Sequence, residues 1–129
     1  MSKEKATERL LRAIENPFTT ILGHPTGRLL LSRAGYPIDH EKIIDACAAN
    51  QVVIEINAHP RRLDLDWTWV DHALDKGVLL SINPDAHQLE GFNDIRYGIL
   101  VAQKTKLNAS QNLSSFSCKQ LENWLKKRK

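Results

Sequence analysis

Apolar residues along the chain alternate between helical spacing and short, wholly apolar runs. Helical spacing predicts a first helix over Lys3–Glu15, which Asn16 and Pro17 end. The same spacing predicts further helices at 40–49, 66–76, 92–104 and after Ser117, while apolar runs predict strands at 18–22, 51–57 and 78–82, and 112–116 fits one more short strand. Strands that are apolar on both faces and alternate with helices are typical of parallel strands covered by helices, so the pattern predicts an α/β fold.

Polar residues and glycine mark the ends of these helices. Asp39 and Asp66 stand where the second and third helices begin, and their carboxylates can accept hydrogen bonds from free backbone amides of the first turn. Gly77 follows the third helix, as glycine commonly does at a helix end. Ser117 and Gln120 have the spacing of a capping box before the last helix.

The composition is that of one globular domain. The chain has 129 residues, 42% of them apolar and 26% charged, which excludes disordered and fibrous classes. Cys47 and Cys118 lie far apart without metal-type spacing, which favours a reducing compartment. The first residues are charged, and no apolar run is long enough to cross a bilayer. We therefore expect a cytoplasmic protein without a membrane partner.

Four positive charges end the chain, at Lys126, Lys127, Arg128 and Lys129, although the formal net charge is only +3. Basic residues in the last turn of a helix complement its dipole, and this is the favoured interpretation. Contact between this basic end and nucleic acid is the alternative.

Polar side chains follow each of the three main predicted strands. In an α/β fold the loops at the carboxyl ends of parallel strands meet at one rim, where active sites form. The three loops are 23–28, 57–64 and 83–87, and the side chains that they bring to the rim are His24, Asn57, Arg62, Asp85 and His87, with Arg28 and His59 nearby.

This set of side chains points to a metal site that handles phosphate. Imidazole and carboxylate together suit zinc, manganese or iron, and Asp85 and His87 are spaced so that each can face a different ion. Arginine presents a planar fork that holds phosphate oxygens with two hydrogen bonds.

Each residue also has a structural interpretation. His24 can close a strand end and Asp85 can cap a turn, so only their joint placement favours chemistry. His59 fits a surface histidine, and His40 and His72 fit solvated helix faces. Trp67 and Trp69 could stack on bases, but aromatic residues at a helix start more often pack against a strand.

Three segments in order carry a family resemblance: 21–28 (ILGHPTGR), 55–65 (EINAHPRRLDL) and 83–87 (NPDAH). They resemble the later motifs of the PHP (polymerase and histidinol phosphatase) family, closest to the domain attached to bacterial DNA polymerase X. The resemblance extends from about Glu4 to Trp124 and includes Tyr97, Gly98 and the helix around Ala102. Three motifs in order are more specific than one short motif.

The resemblance implies a distorted, seven-stranded, TIM-like β/α barrel with up to three divalent metal ions at its rim. It implies that His24 binds one ion, Asp85 a second and His87 a third, with Asp85, His87, Arg28 and Arg62 acting in phosphoester hydrolysis. Arg28 and Arg62, together with Asn57, would contact the substrate, or the two arginines would brace the rim. The implied substrates are DNA 3′ ends, or small phosphate monoesters as in the histidinol phosphatase branch.

The earlier motifs of that family are absent: no His-x-His occurs on a first strand, and no bridging glutamate follows it. The chain is therefore expected to be the C-terminal part of the barrel, without polymerase domains. Each ion would keep only one ligand from this chain, so tight metal binding by the chain alone is not expected. Open strand edges predict that it pairs with a missing N-terminal half or forms a homo-oligomer.

Three functions remain open from the sequence. The first and favoured one is a phosphoesterase part whose activity needs the remaining ligands. The second is a structural or interaction module that keeps the fold without catalysis. The third is a nucleic-acid-binding unit that uses the basic end, for which DNA affinity would fall with salt.

Overall fold

A computed structural model describes residues 1–128; Lys129, the last residue of the basic end, lies outside the described residues. The elements alternate between helices and strands as the hydrophobic pattern predicts. In chain order they are α1 (Lys3–Glu15), β1 (Ile21–Leu22), α2 (His40–Asn50), β2 (Val53–Asn57), α3 (Val70–Asp75), β3 (Leu80–Asn83), α4 (Ile95–Ala102) and α5 (Cys118–Lys127). Short 3₁₀ turns occupy Trp67–Trp69, Leu89–Asp94, Ala109–Gln111 and Leu113–Ser115.

The three strands form one parallel sheet in the order β1-β2-β3, with β2 in the centre. Ile21 is paired with Val53, and Asn57 is paired with Asn83 at the carboxyl end. The predicted α/β class with parallel strands is confirmed. The described residues contain three strands of one sheet, so they do not themselves close a seven-stranded barrel.

The two faces of the sheet differ, which corrects the expectation that the strands are apolar on both faces. One face of β2 and β3 carries Ile54, Ile56, Leu80 and Ile82, all buried in the core. The opposite face carries the buried Val53 at the start of β2 and is polar towards the carboxyl ends of the strands, because side chains two positions apart in a strand share a face. It carries the paired residues Glu55 with Ser81 and Asn57 with Asn83.

The helix ends follow the predicted caps. The Asp39 side chain accepts a hydrogen bond from Lys42 N at the start of α2. The Asp66 side chain accepts one from Thr68 N and so caps the 3₁₀ turn Trp67–Trp69, which leads into α3. Ser117 and Gln120 form a complete capping box at the start of α5. Gly77 adopts a φ of 81°, a left-handed conformation that costs glycine little.

Four predicted elements differ from the structure. The helices predicted at 66–76 and 92–104 are shorter, since α3 begins at Val70 and α4 at Ile95, each after a 3₁₀ turn. The segment 112–116 is not a strand, and Asn112 makes only one isolated bridge, to Leu80. Two of its side chains accept the hydrogen bond that the backbone of a neighbouring strand would otherwise accept. The Ile82 amide donates to Ser114 Oγ over 2.9 Å and to Asn112 Oδ1 over 3.3 Å. The first strand is also shorter than predicted, and Phe18 is 92% exposed.

His40 and His72 pack around Trp69, so their interpretation as solvated helix residues is wrong. The His40 ring stacks on Trp69 with 4.7 Å between centroids, and His72 meets the same ring edge-on at 5.7 Å. Burial lowers the pKa of His40 despite nearby carboxylates of Asp64 and Asp66. Trp69 thus joins helices α2 and α3 at the edge of the core.

The basic end is partly tied to the sheet. Arg128 donates from Nε to the Gln51 carbonyl over 2.9 Å, and from Nη2 to the Thr19 carbonyl. These contacts fix the end of α5 beside the starts of β1 and β2. In the described part of the chain, no helix is both long and apolar enough to cross a membrane.

Candidate functional site at the carboxyl ends of the strands

The carboxyl ends of the three strands bring the candidate residues to one rim. Glu55 on β2 is the acceptor at its centre. Its Oε1 accepts hydrogen bonds from the His24 backbone amide over 3.0 Å and from Asn57 Nδ2 over 3.1 Å. Its Oε2 accepts one from Asn83 Nδ2 over 2.8 Å. A single carboxylate therefore joins residues that follow or end all three strands.

Asp85 lies next to this network. Its Oδ2 accepts a hydrogen bond from Asn57 Nδ2 over 3.2 Å and lies 3.4 Å from Arg62 Nε. Its backbone φ is 55°, in the left-handed region that non-glycine residues seldom adopt. Such conformations cluster at functional sites, where surrounding contacts hold them in place. The structure thus brings Asn57, Arg62 and Asp85 together, three of the five side chains that the sequence placed on one rim.

His87 stands at the open side of the rim. Its Nδ1 lies 2.8 Å from the Asp85 carbonyl oxygen and 4.0 Å from Asp85 Oδ1. The side chain is 82% exposed, so most of the imidazole ring is accessible from solvent. His24 is also exposed, and within residues 1–128 its ring makes no hydrogen bond, although its backbone is held by Glu55.

Arg28 stabilises the loop after β2, which carries Arg62. Its Nε donates to the Arg62 carbonyl over 2.8 Å, its Nη1 pairs with Asp66 Oδ1 at 2.9 Å, and its Nη2 donates to the Leu63 carbonyl. Burial by itself would raise the pKa of Asp66, but hydrogen bonds from Thr68 and Arg28 outweigh burial and lower it. All three of these guanidinium nitrogens are engaged inside the protein, which matches the bracing role left open by the sequence.

Arg62 differs from Arg28 because one of its guanidinium nitrogens has no hydrogen-bond partner among the described residues. Its Nε faces Asp85, while its Nη1 is buried without a hydrogen-bond partner in the described part of the chain. A buried donor without a partner carries an energetic cost, and an incoming acceptor would remove that cost. Arg62 thus has one buried guanidinium nitrogen without a hydrogen-bond partner among the described residues.

Asp64 holds the loop after β1. It is fully buried, and its Oδ2 accepts hydrogen bonds from Thr26 N, Thr26 Oγ1 and Gly27 N at 2.9–3.0 Å. Asp64 Oδ1 is buried and has no hydrogen-bond partner among the described residues. The loop that carries His24 therefore depends on a carboxylate supplied by the loop after β2.

The donor set fits part of a metal site. Within residues 1–128, no group of three His, Cys, Asp or Glu side chains is arranged to hold one ion. Asp85 and His87 stand next to each other, while both Glu55 oxygens accept hydrogen bonds from amides. These residues can supply individual ligands, but the set needs further ligands to hold an ion.

Sequence reasoning missed Glu55 and Asp64 as members of the site. A signal for Glu55 was available, because it is the one charged residue in the otherwise apolar run of β2 and shares a strand face with Asn57. Asp64 had no comparable signal, since its partners Thr26 and Gly27 are distant in the sequence. His59, placed nearby by the sequence, accepts a hydrogen bond from Arg61 N at Nδ1 and so stabilises its own loop.

Comparison with known proteins finds sequence similarity to parts of longer proteins. The chain is 38% identical over 120 residues to the DNA polymerase/3'-5' exonuclease PolX of Bacillus subtilis, which covers 93% of this chain and 21% of that protein. It is 39% identical over 54 residues to a probable phosphatase of Caldanaerobacter subterraneus, covering 42% of this chain and 19% of the relative. A probable phosphatase of Thermoanaerobacter sp. is 30% identical over 90 residues, covering 65% of this chain and 34% of the relative.

The three matches cover between 42% and 93% of this chain, but only between 19% and 34% of the length of the relatives. The chain spans about a fifth of the length of PolX and about a third of the Thermoanaerobacter protein. No protein-family model matches the chain. The chain is thus related in sequence to one segment of PolX and to a set of probable phosphatases.

Proposed function

We propose that this chain supplies part of the active site of a metal-dependent phosphoesterase of the PHP type. The observation that supports the proposal is that the Glu55 carboxylate accepts hydrogen bonds from the His24 amide, Asn57 and Asn83, and that Asn57 also donates to Asp85. The similarity to an exonuclease and to probable phosphatases supports the same reaction class.

His24, Asp85 and His87 are the residues that would hold divalent metal ions. Zinc, manganese and iron suit these ligands, and a bound ion would polarise the phosphate and activate water for its hydrolysis. Further ligands would come from a preceding barrel segment or from a second copy of the chain. Self-association of the isolated chain in sedimentation would support the second source, and a monodisperse monomer would exclude it.

The neighbouring residues orient the ligands and contact the substrate. Asn57 donates to Asp85 Oδ2 and so limits the directions in which that carboxylate can point. Arg62 Nε lies 3.4 Å from the same oxygen, and its guanidinium group suits it to a phosphate oxygen. Arg28 maintains the backbone that carries Arg62.

The first experiment measures metal uptake and hydrolysis together. Elemental analysis after loading with zinc, manganese or iron would be combined with assays on 4-nitrophenyl phosphate and a 3′-phosphorylated DNA oligonucleotide. The assays would be run with the chain alone and with the segment of PolX that directly precedes the part similar to this chain added in trans. Asp85→Ala and His87→Ala should reduce both metal uptake and hydrolysis.

Asp45→Ala is the matched control. Asp45 is an exposed carboxylate of α2 that pairs at 3.4 Å with Lys76, which precedes the amino end of β3, whereas the rim lies at the carboxyl ends of the strands. Its removal should leave metal uptake and hydrolysis unchanged. Equal activity of wild type and Asp85→Ala in the completed system would overturn the proposal and favour a structural module without catalysis.

The two assay substrates separate the proposed substrate classes. Preference for the 3′-phosphorylated oligonucleotide would favour action on DNA 3′ ends, whereas preference for the small ester would favour a phosphatase of small phosphate monoesters. DNA affinity that falls steeply with salt and is lost on neutralising Lys126 and Lys127 would instead favour nucleic-acid binding through the basic end.

A further inference from the structure

Two histidines of the strand-end loops, His59 and His87, each pair ring Nδ1 with a backbone group two residues away. The Arg61 amide donates a hydrogen bond to His59 Nδ1 over 3.1 Å. His87 Nδ1 instead lies 2.8 Å from the Asp85 carbonyl oxygen. A neutral imidazole carries a proton on one ring nitrogen and a lone pair on the other, so the backbone partner determines which nitrogen is protonated.

The two backbone partners impose opposite tautomers. An amide N–H can only donate a hydrogen bond, so Nδ1 of neutral His59 is the acceptor and the proton of that ring is on Nε2. A carbonyl oxygen can only accept one, so Nδ1 of neutral His87 carries the proton and Nε2 keeps the lone pair. The two rings therefore present different groups at the same nitrogen.

The conformation of Asp85 brings its carbonyl to the His87 ring. Its φ of 55° is left-handed, and contacts of its side chain stabilise this conformation. Asp85 Oδ2 accepts a hydrogen bond from Asn57 Nδ2 over 3.2 Å and lies 3.4 Å from Arg62 Nε. The carboxylate is less well placed for the ring, since Asp85 Oδ1 is 4.0 Å from His87 Nδ1. The carbonyl is therefore the group that orients His87.

A tight turn brings the Arg61 amide back to the His59 ring. The His59 carbonyl accepts hydrogen bonds from Arg62 N over 2.8 Å and from Leu63 N over 3.1 Å, and the His59 amide donates to Asn57 Oδ1 over 3.0 Å. Within residues 1–128, Nε2 of neither His59 nor His87 has a hydrogen-bond partner. Each Nε2 is thus left for a group from outside the described chain.

We propose that the Asp85 carbonyl is a positioning group that makes Nε2 of His87 the metal-binding nitrogen, whereas the Arg61 amide excludes Nε2 of His59 from that role. A metal ion binds the lone pair of a neutral imidazole, and a backbone carbonyl at the other nitrogen fixes the tautomer and the direction of the ring. The inference deepens the proposed function and rests on it for the presence of the ion. It assigns Asp85 a backbone role in addition to its carboxylate.

The tautomers can be measured in the metal-free chain. Two-bond nitrogen–proton correlation spectra of the full chain with ¹⁵N-labelled histidine would be recorded in EDTA at about pH 8, where histidine is mostly neutral. His59→Gln and His87→Gln would assign the signals by their disappearance. We expect His87 to be protonated at Nδ1 and His59 at Nε2. The same tautomer for both rings, or an even mixture at His87, would overturn the inference.

A matched pair of variants separates the carbonyl from the carboxylate. Asp85→Gly and Asp85→Val both remove the carboxylate, but glycine adopts positive φ readily whereas a β-branched residue does so rarely. His87 should keep its tautomer in Asp85→Gly and shift towards a mixture in Asp85→Val, with His59 unchanged in both as the internal reference. Asp85→Ala is the milder replacement if valine unfolds the loop. Equal His87 tautomers in the glycine and the valine or alanine variant would overturn the role of the carbonyl.

Zinc titration separates this inference from the proposed function. In the presence of the preceding PolX segment, zinc should shift the Nε2 signal of His87 and leave Nε2 of His59 protonated. The predicted tautomers without any zinc-induced shift would keep the positioning by Asp85 and reject the metal role of the proposed function. Zinc uptake that requires His87, with a shift at Nδ1 rather than Nε2, would keep the proposed function and overturn this inference.

Discussion

Glu55 Oε2 accepts a hydrogen bond from Asn83 Nδ2 over 2.8 Å, which joins the central strand to the end of β3. The other oxygen of the same carboxylate serves the His24 amide and Asn57 Nδ2. Three donors therefore converge on one acidic side chain. The two carboxylate oxygens of Glu55 therefore hold the three strand-end loops in their positions at the rim.

We expect Glu55→Gln to destabilise the fold by about 1–2 kcal/mol, because the amide nitrogen of glutamine would face a donor and leave hydrogen bonds unmade. Urea unfolding would measure this loss. Glu122→Gln, on the exposed side of α5, is the control and should change stability by less than about 0.5 kcal/mol. An unchanged unfolding midpoint in Glu55→Gln would contradict the role given to this carboxylate.

Gly98 allows α4 to approach the sheet. A Cβ at this position would lie 2.5 Å from Ile82 Cγ2 and 2.7 Å from Ala58 Cβ. Alanine is favoured over glycine in a helix by about 1 kcal/mol, but this overlap should outweigh that gain and give a net loss of about 1–3 kcal/mol in Gly98→Ala. Thermal unfolding would measure the loss.

Gly23→Ala is the control for that change, since the Cβ added there would make an ordinary 3.6 Å contact with Glu55 Oε1. Its melting temperature should remain near that of wild type. A Gly98→Ala variant more stable than wild type would mean that α4 can move away from Ile82 at little cost.

The stack of His40 on Trp69 should make stability depend on pH. Burial lowers the pKa of His40 below its ordinary 6.5 in the folded state, so the unfolded chain binds a proton first as pH falls. The contribution of neutral His40 to the free energy of unfolding is complete above pH 6.5 and is lost as pH falls through the lowered folded-state pKa. Stability should therefore decrease below pH 6.5.

His40→Phe separates this proton from the stacking itself. Phenylalanine keeps an aromatic ring against Trp69 but does not titrate. Urea midpoints of the variant should fall less than those of wild type between neutral and mildly acidic pH. Parallel curves for the two proteins would show that His40 does not contribute to the pH dependence.

The two cysteines should differ in reactivity. Cys47 is fully buried in the core, and burial raises its pKa to about 12. Cys118 is exposed at the start of α5. A thiol reagent at pH 8 should therefore modify one cysteine per native chain and two after denaturation, with Cys118→Ser removing the reaction of the native protein.

The elements that the sequence predicted correctly are those whose signals are local. Asp39, Asp66 and the Ser117–Gln120 pair cap their helices with residues three positions away or fewer, so spacing alone revealed them. The rim residues Asn57, Arg62 and Asp85 were also grouped correctly, because parallel strands bring their following loops together.

The remaining features depend on contacts that spacing does not encode. Helix position alone suggested that His40 and His72 were solvated, whereas Trp69 lies between them through the packing of two helices. Asp64 reaches the loop around Thr26 only because β1 and β2 are neighbours. Segment 112–116 was predicted as a strand, since sequence does not show that Ser114 would satisfy an edge amide by its hydroxyl.

The central position of β2 affects how the chain reaches its native state. Both β1 and β3 pair with β2, and each pairing joins residues separated by a helix and its loops. Loop closure must precede these contacts, so folding should take about milliseconds to seconds rather than the microseconds of a helical bundle. Before β2 is in place, β1 and β3 have no hydrogen-bonded neighbour in this sheet, and the nascent chain exposes strand edges open to association with other unfinished chains.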